Sequence, residues 1–539
     1  MRTQVCTCAG RTLPVFAPIL VCCFPPAVWA QATRPAGPDG PWDVGNRRQL
    51  FIDGRFFAKR ENVDLCVHPP RKTGEWTIKP DRPWETGGIG PYSSVLKEGE
   101  TYHFWYHAMD NKQWDSAREA GAICYARSKD GIHWEKPALG LIEYAGSRDN
   151  NIVVGHGAAG LKIGQDGVMV FLDPTAPPEQ RFRMVSHFDA LGAGIHILSS
   201  GDGIHWQVTH RSILNYRPMA KGHHLDSQNV IFWDDRIHKY VAYVRKNLND
   251  PESQGRSVAR AESDRLGDFP VVQDMPSILK PDALDMRQAR RAMVDYYTSE
   301  AIKYPWADDA YFMFPQVYYH YTNLLRKFAK DCPTNAGPLD TQFAASRDGF
   351  HWERYDRRPF VGLGIKGEFD WASARMVWGI VPDVAGREMY MYYRASDWLH
   401  GWDRDERNKR LLTGAGLGAD QDIAVLSRLV SRRDGFVSAR TPYTGGEFTT
   451  PPLLFAGRRL ALNINTSATG IGQVEILDEK GTPVTGYALS DCDWIHTANE
   501  INYVVTWNGR SDVSPLSGRP VRLRFVLTNS DLYAFQFQD

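Results

Sequence analysis

Six acidic residues stand at or just before apolar runs that read as buried strands: Glu85, Asp166, Asp226, Asp295, Glu300 and Asp370. Two carboxyl groups of this kind, brought together by a fold, can do acid–base work. One gives a proton while the other takes one or attacks. Asp226 follows Gly222-His223-His224 and precedes Ser227-Gln-Asn-Val-Ile-Phe-Trp233, so polar groups crowd the lip of an apolar strand. Asp295 precedes Tyr296-Tyr-Thr-Ser-Glu300, Asp370 lies in Gly367-Glu-Phe-Asp-Trp371, and Glu85 lies in Pro83-Trp-Glu-Thr-Gly87. The competing role for each is a cap or turn at the start of its strand. His223, His224, Arg375 and His400 could bind ligand hydroxyls; exposed loop polarity would explain them equally. No Gly-x-Ser-x-Gly elbow, phosphate loop or His-Glu-x-x-His helix occurs.

The elements that must position these residues announce themselves through a repeated phrase. It reads Ser128-Lys-Asp130-Gly131-Ile-His-Trp134, then Ser200-Gly-Asp202-Gly203-Ile-His-Trp206, then Ser346-Arg-Asp348-Gly349-Phe-His-Trp352. A weaker copy, Ser431-Arg-Arg-Asp434-Gly435-Phe436, lacks the Trp, and Ser263-Asp264-Arg-Leu-Gly267-Asp-Phe269 is degenerate. Asp-Gly supplies a tight turn, because Gly accepts positive φ and Asp bonds nearby backbone. The Trp then anchors the turn to a neighbouring unit. The copies recur at intervals of roughly 60 to 90 residues, which fits a four-stranded propeller blade with long loops.

Five sets of strand-like runs accompany the five phrases. They include Thr101-Tyr-His-Phe-Trp-Tyr106, Phe182-Arg-Met-Val-Ser186, Val230-Ile-Phe-Trp233, Ala310-Tyr-Phe-Met-Phe314 and Glu388-Met-Tyr-Met-Tyr-Tyr393. Only the stretch near Asp285 to Val294 reads as helical. From about Thr441 the phrase stops. Leu460, Leu462 and Ile464, then Leu523, Phe525 and Leu527, alternate with other residues at period two, as half-buried strands do. The expectation is an all-β chain: a five-bladed β-propeller over 50–440, followed by a C-terminal antiparallel β-sandwich over 441–539.

Residues 1–32 read as an export signal. Arg2 and Arg11 precede an apolar run from Leu13 to Cys23, and Ala27-Val-Trp-Ala30-Gln-Ala32 offers small residues for cleavage. The run is too short for a membrane span. Residues 33–49, rich in Pro, Gly and Asp, read as a linker. The mature chain would keep Cys66, Cys124, Cys332 and Cys492, scattered without metal-ligand spacing and not pairable by sequence. A formal net charge of zero argues against nucleic acid as a partner. Aromatic residues at 12% suit both a β core and a site that stacks on sugar faces.

Gly99-Glu-Thr-Tyr-His-Phe-Trp-Tyr106, the leader Ile123-Cys-Tyr-Ala-Arg-Ser-Lys-Asp-Gly-Ile-His-Trp134 with its copies, and the trailing sandwich resemble five-bladed propeller glycoside hydrolases. The families are 32 and 43, the invertase and arabinanase type. Leu225-Asp-Ser-Gln-Asn-Val-Ile-Phe-Trp-Asp234 and Lys303-Tyr-Pro-Trp-Ala-Asp-Asp-Ala-Tyr311 are similar to a group of exported bacterial family 32-like proteins. The resemblance implies an exported enzyme that cleaves a poly- or oligosaccharide with paired carboxylates in the axial pocket. Asp226 with at least one of the other five acids should line that pocket, one of them with a raised pKa. The implied partner is carbohydrate; no cofactor is implied beyond an ion on the propeller axis. Where family 43 places Asp-Pro ahead of an innermost strand, this chain has Gly90-Pro-Tyr-Ser-Ser-Val95. A non-catalytic propeller that binds glycan or protein is therefore the alternative. A sialidase-like reading ranks lower, since Asp and Gly are adjacent in the phrase and five sets are counted rather than six.

Overall fold

Short runs of β-branched and aromatic residues, punctuated by Gly, Asp and Pro, fold into strands along almost the whole chain. The computed structural model describes residues 40–110, 121–155, 166–188, 191–192, 194–216, 225–250, 253–288, 293–320, 336–401, 410, 413–414, 416, 421 and 423–539. Residues 1–32, read above as an export signal, and His223, His224 and Cys332 lie outside them. Ala283–Gln288 forms a short α-helix, and Met293–Tyr296 beyond it is a strand. Among the described residues no helix is long and apolar enough to cross a membrane.

The first sheet runs Gly88–Glu98, Thr101–Met109, Gly121–Ser128 and Ile152–Gly155, each strand antiparallel to the one before. The second runs Asp166–Leu172, Phe182–His187, Ile195–Ser200 and Gln207–Leu214 in the same manner. In the third, Val230–Asp234, Lys239–Asp250, Ser253–Ser263 and Ser277–Leu279 follow suit. The fourth meander is broken across its width. Met293–Tyr296, Gln316–His320 and Leu339–Thr341 pair at one end. Ile302–Lys303, Tyr311–Met313 and Ala344–Ser346 pair at the other. A fifth group, Ser373–Met376, Glu388–Ser396 and Ala424–Arg432, takes its last strand, Arg71–Lys72, from ahead of the first sheet.

Strands of neighbouring groups touch through side chains that bond a neighbour's backbone. Ser94 Oγ donates to Val168 O at 3.2 Å and accepts from Val170 N at 3.0 Å. Gln228 Nε2 donates to Ser93 O at 3.0 Å and Val168 O at 2.5 Å. Ser94 pairs in parallel with Trp378, and Gln316 Nε2 donates to Met376 O at 3.0 Å. Strand starts distant in sequence are thus drawn to one region.

The repeated phrase builds one turn three times. In the second copy Ser200 Oγ accepts from the Gly203 amide at 2.9 Å, and Asp202 Oδ1 accepts from the Ile204 and His205 amides, both at 2.9 Å. His205 Nδ1 lies 2.7 Å from Asp202 Oδ2. Gly203 has φ of +76°, and its carbonyl accepts from Trp105 Nε1, in the preceding sheet, at 2.7 Å. Tyr392 Oη donates to Gly131 O and Tyr243 Oη to Gly349 O in the same way. Each turn therefore docks on the second strand of a neighbouring sheet. Trp134, Trp206 and Trp352 are half-buried rather than buried. They lie edge-on against Phe104, Trp105 and Tyr243 respectively, because the fully buried places are held by those partners.

Beyond residue 437 two further antiparallel sheets share one apolar core containing Leu462, Val474, Leu523, Phe525 and Phe537. Arg522 and Arg524 alternate with the buried residues, and Arg524 pairs with Glu447 and Glu475. Two boundaries differ from the expected ones. Trp42–Gly45 is a strand that pairs in parallel with Leu453–Phe455, and Gln49–Leu50 pairs with Ala534 and Phe535, so 33–49 is not simply a linker. Lys59–Glu61 and Asp64–Val67 also join these C-terminal sheets, and Val437–Thr441 spans the expected break at 441. Edge strands need partners for their backbone groups, and the N-terminal segment supplies them. Trp42–Asp539 is one compact unit. Cys66, Cys124 and Cys492 carry free thiols.

Candidate active site at the Tyr297 cluster

Tyr297 sits at the break in the fourth meander, one residue past Met293–Tyr296. Three guanidinium groups surround its ring: Arg245 at 4.6 Å from the ring centre, Arg256 at 4.9 Å and Arg375 at 5.6 Å. Tyr318 and His400 meet the same ring edge-on at 5.9 and 5.3 Å. Tyr92, from the first sheet, and Leu339 complete a buried apolar patch with Tyr297 and Tyr318. Residues of the first, third, fourth and fifth groups therefore converge here.

The local sequence explains the pair from the third sheet. Arg245 faces Val258 and Asn247 faces Arg256 in the antiparallel ladder. Arg245 and Arg256 are thus diagonal neighbours on one face, roughly 7–8 Å apart at the backbone. Each brings a carboxylate. The Arg245 guanidinium pairs with Asp226, whose side chain is 42% exposed while that of Arg245 is 2% exposed. The Asp226 carbonyl accepts from Tyr92 Oη at 3.4 Å.

Asp295 is enclosed. It accepts from the Arg256 amide at 2.8 Å, Arg256 Nη1 at 2.5 Å and His320 Nε2 at 2.9 Å. Gly255, at φ +109°, permits that approach, because a Cβ there would stand 2.1 Å from Asp295 Oδ1. Burial alone would raise the Asp295 pKa; the His320 hydrogen bond and the Arg256 charge outweigh it and hold the carboxyl below its usual range. His320 lies against Tyr318, ring centres 3.9 Å apart, and its Nδ1 is buried with no hydrogen-bond partner among the described residues. No group of three or more His, Cys, Asp or Glu among the described residues could hold a metal ion.

The fold is similar to solved glycoside hydrolases of families 43 and 32. A family 43 arabinoxylan arabinofuranohydrolase from Bacillus subtilis, solved with cellotetraose, is 13% identical, with a TM-score of 0.38, over 87% of this chain and 99% of its own. The Bombyx mori family 32 β-fructofuranosidase is 10% identical, with a TM-score of 0.40, over 90% and 95%. An N-acetylgalactosamine deacetylase from F. plautii is 14% identical, with a TM-score of 0.40, over 70% and 97%. No family model matches the chain, and no curated protein does.

Of the residues singled out in the sequence, Asp226, Asp295, Arg375 and His400 meet at Tyr297. Glu85, Glu300 and Asp370 do not join them. Glu85 is fully buried and bonds Tyr106 Oη at 2.7 Å, Lys136 Nζ at 2.7 Å and the Asp81 and Arg82 amides. It fastens the 3₁₀ turn Pro83–Glu85 to the first sheet. Asp370 accepts from Lys72 Nζ at 2.6 Å and Tyr393 Oη at 2.9 Å, tying the strand Arg71–Lys72 to the fifth group. Glu300, at φ +45°, is buried beneath the sheet break, and its polar contacts are Thr298 and Gln316. Burial pushes its pKa up to about 8, against the pull of the Thr298 hydrogen bond. Asp166 opens the second sheet opposite His187. The raised carboxyl expected beside Asp226 is not Asp295, because Asp295 faces a guanidinium and an imidazole rather than a second carboxylate.

Sequence reasoning did not single out Arg245, Arg256, Tyr297 or His320. A signal for the first existed. Val241, Tyr243 and Arg245 share one face of a strand, so a charge stands in line with buried apolar residues. Such a charge needs a buried partner.

Proposed function

We propose that the chain is an exported glycoside hydrolase that cleaves a poly- or oligosaccharide at the Tyr297 cluster. In this reading the five strand groups are the blades of a propeller, and the two C-terminal sheets form a supporting sandwich. One observation supports it: Asp226 and Asp295 each pair with an arginine that stands over the Tyr297 ring, where four strand groups meet. Asp226, exposed and paired with Arg245, serves as base or nucleophile. His320 is buried and bonds Asp295 through Nε2, so it positions that carboxylate. Tyr92, Tyr297 and Tyr318 are buried and pack together as the apolar support of the cluster.

The second reading is a glycan-binding module without turnover. It is favoured by the low-held Asp295 carboxyl, which is no proton donor. A panel of oligosaccharides, with products separated by chromatography, decides between them. The hydrolase reading expects cleavage of at least one glycan, and a loss of at least about 100-fold in turnover for Asp226→Asn, with unfolding unchanged. Full activity in that variant removes Asp226 from the mechanism. Binding without cleavage across the panel favours the module.

A further inference from the structure

The guanidinium groups at the cluster outnumber what the protein gives them to bind. Arg245 spends Nη1 on Asp226; its Nε and Nη2 are buried with no hydrogen-bond partner among the described residues, and its side chain is 2% exposed. Among the described residues Arg256 uses only Nη1 on a side chain, at Asp295. Arg375 bonds a side chain only through Nε, to Ser373 Oγ at 3.1 Å. Three cations thus face two carboxylates, with nitrogens of all three uncommitted around one aromatic ring.

A buried donor without an acceptor is unfavourable, and a buried cation without a counter-charge more so. A ligand that supplied acceptors would complete the set. A ligand with several acceptor oxygens matches the guanidinium fork, and an anionic one would also supply the counter-charge that Arg375 lacks among the described residues. The adjoining patch of Tyr92, Tyr297, Tyr318 and Leu339 is buried and supports the ring that the three arginines surround.

We propose that the Tyr297 cluster takes an acidic glycan, whose carboxylate or sulfate ester is held by Arg245, Arg256 and Arg375. This rests on reading the cluster as a glycan site, and it adds the charge class of the ligand. Arg245 and Arg375 would also discriminate, since a neutral sugar leaves their nitrogens unpaired.

The test is a glycan array carrying neutral, uronate-containing and sulfated glycans, followed by calorimetry on the bound glycans and their neutral counterparts. The expected result is binding of uronate or sulfated glycans at least about 10-fold tighter than of neutral ones, weakened by added salt. Which of the two anionic sets binds tells carboxylate from sulfate. Arg375→Gln and Arg245→Gln should each cut the anionic preference by about 10-fold and leave weak neutral binding. Should Arg245→Gln fail to fold, Arg375→Gln carries the result. No binding of any anionic glycan, equal affinity for neutral and anionic ones, or an unchanged preference in folded variants overturns the proposal. Assaying turnover on the same glycans keeps the two readings apart. Anionic preference without turnover leaves this proposal standing and removes the hydrolase. Turnover of neutral glycans without anionic preference does the reverse.

Discussion

Gly203→Ala tests whether the repeated turn locks neighbouring sheets together. Two costs add at this position. The residue has φ of +76°, and an L side chain there costs about 1–2 kcal/mol. The new methyl would also stand 2.6 Å from Trp105 Cζ2. Trp105 cannot swing aside easily, since it is fully buried and its Nε1 is bonded to the Gly203 carbonyl. Overpacking of this kind costs about 1–3 kcal/mol more, so the total is about 2–5 kcal/mol. Gly140→Ala is the matched control, with φ of +70° and nothing within 4 Å of its Cβ position. It carries the backbone cost alone, about 1–2 kcal/mol. Urea unfolding followed by tryptophan fluorescence would compare the two, with circular dichroism as a second probe of cooperativity. Gly203→Ala should lose at least about 1 kcal/mol more than Gly140→Ala. Equal losses would mean that the turn is only a turn, and that the docking on Trp105 contributes nothing.

Asp434→Asn should destabilise by about 3 kcal/mol in the same assay, because it removes the charge facing buried Arg48, whose Nε lies 2.5 Å from Asp434 Oδ2; no loss would show that Asn502 and the Ile501 carbonyl suffice for Arg48. Glu300→Gln should stabilise the fold increasingly with pH. The Glu300 pKa is raised from 4.5 to about 8 in the folded chain, so folding favours the proton, and the wild-type contribution, whole below pH 4.5, is lost as pH rises to about 8. Thermal scans from pH 5 to 8 should show the gain widening, and a pH-independent difference would refute the assignment. Expression in a bacterium with its export machinery should yield a chain whose first residue lies soon after Ala30 or Ala32, read by mass spectrometry; an intact Met1 on the secreted or periplasmic protein would exclude cleavage.

Local chemistry explains what could be read along the chain. Ser, Asp and Gly in the repeated phrase bond one another within a few residues, so their turn was legible without any fold around it. Period-two alternation likewise marks Leu523, Phe525 and Leu527 as one face of a strand, because the pleat alone imposes it. Asp226 stood out for the polar residues packed ahead of an apolar run. Which acids would meet was another matter. Glu85 and Asp295 look alike in sequence, each beside aromatic residues at the start of a strand. Lys136, on a segment some fifty residues later, claims Glu85, while the third sheet delivers Arg256 and the return strand His320 to Asp295. The same holds for Trp42–Gly45, whose composition suits a linker until Leu453–Phe455 offers it an open edge. Strand and turn depend on neighbours in the chain. The charge balance around Tyr297 depends on which sheets close on one another, and only the tertiary structure sets that.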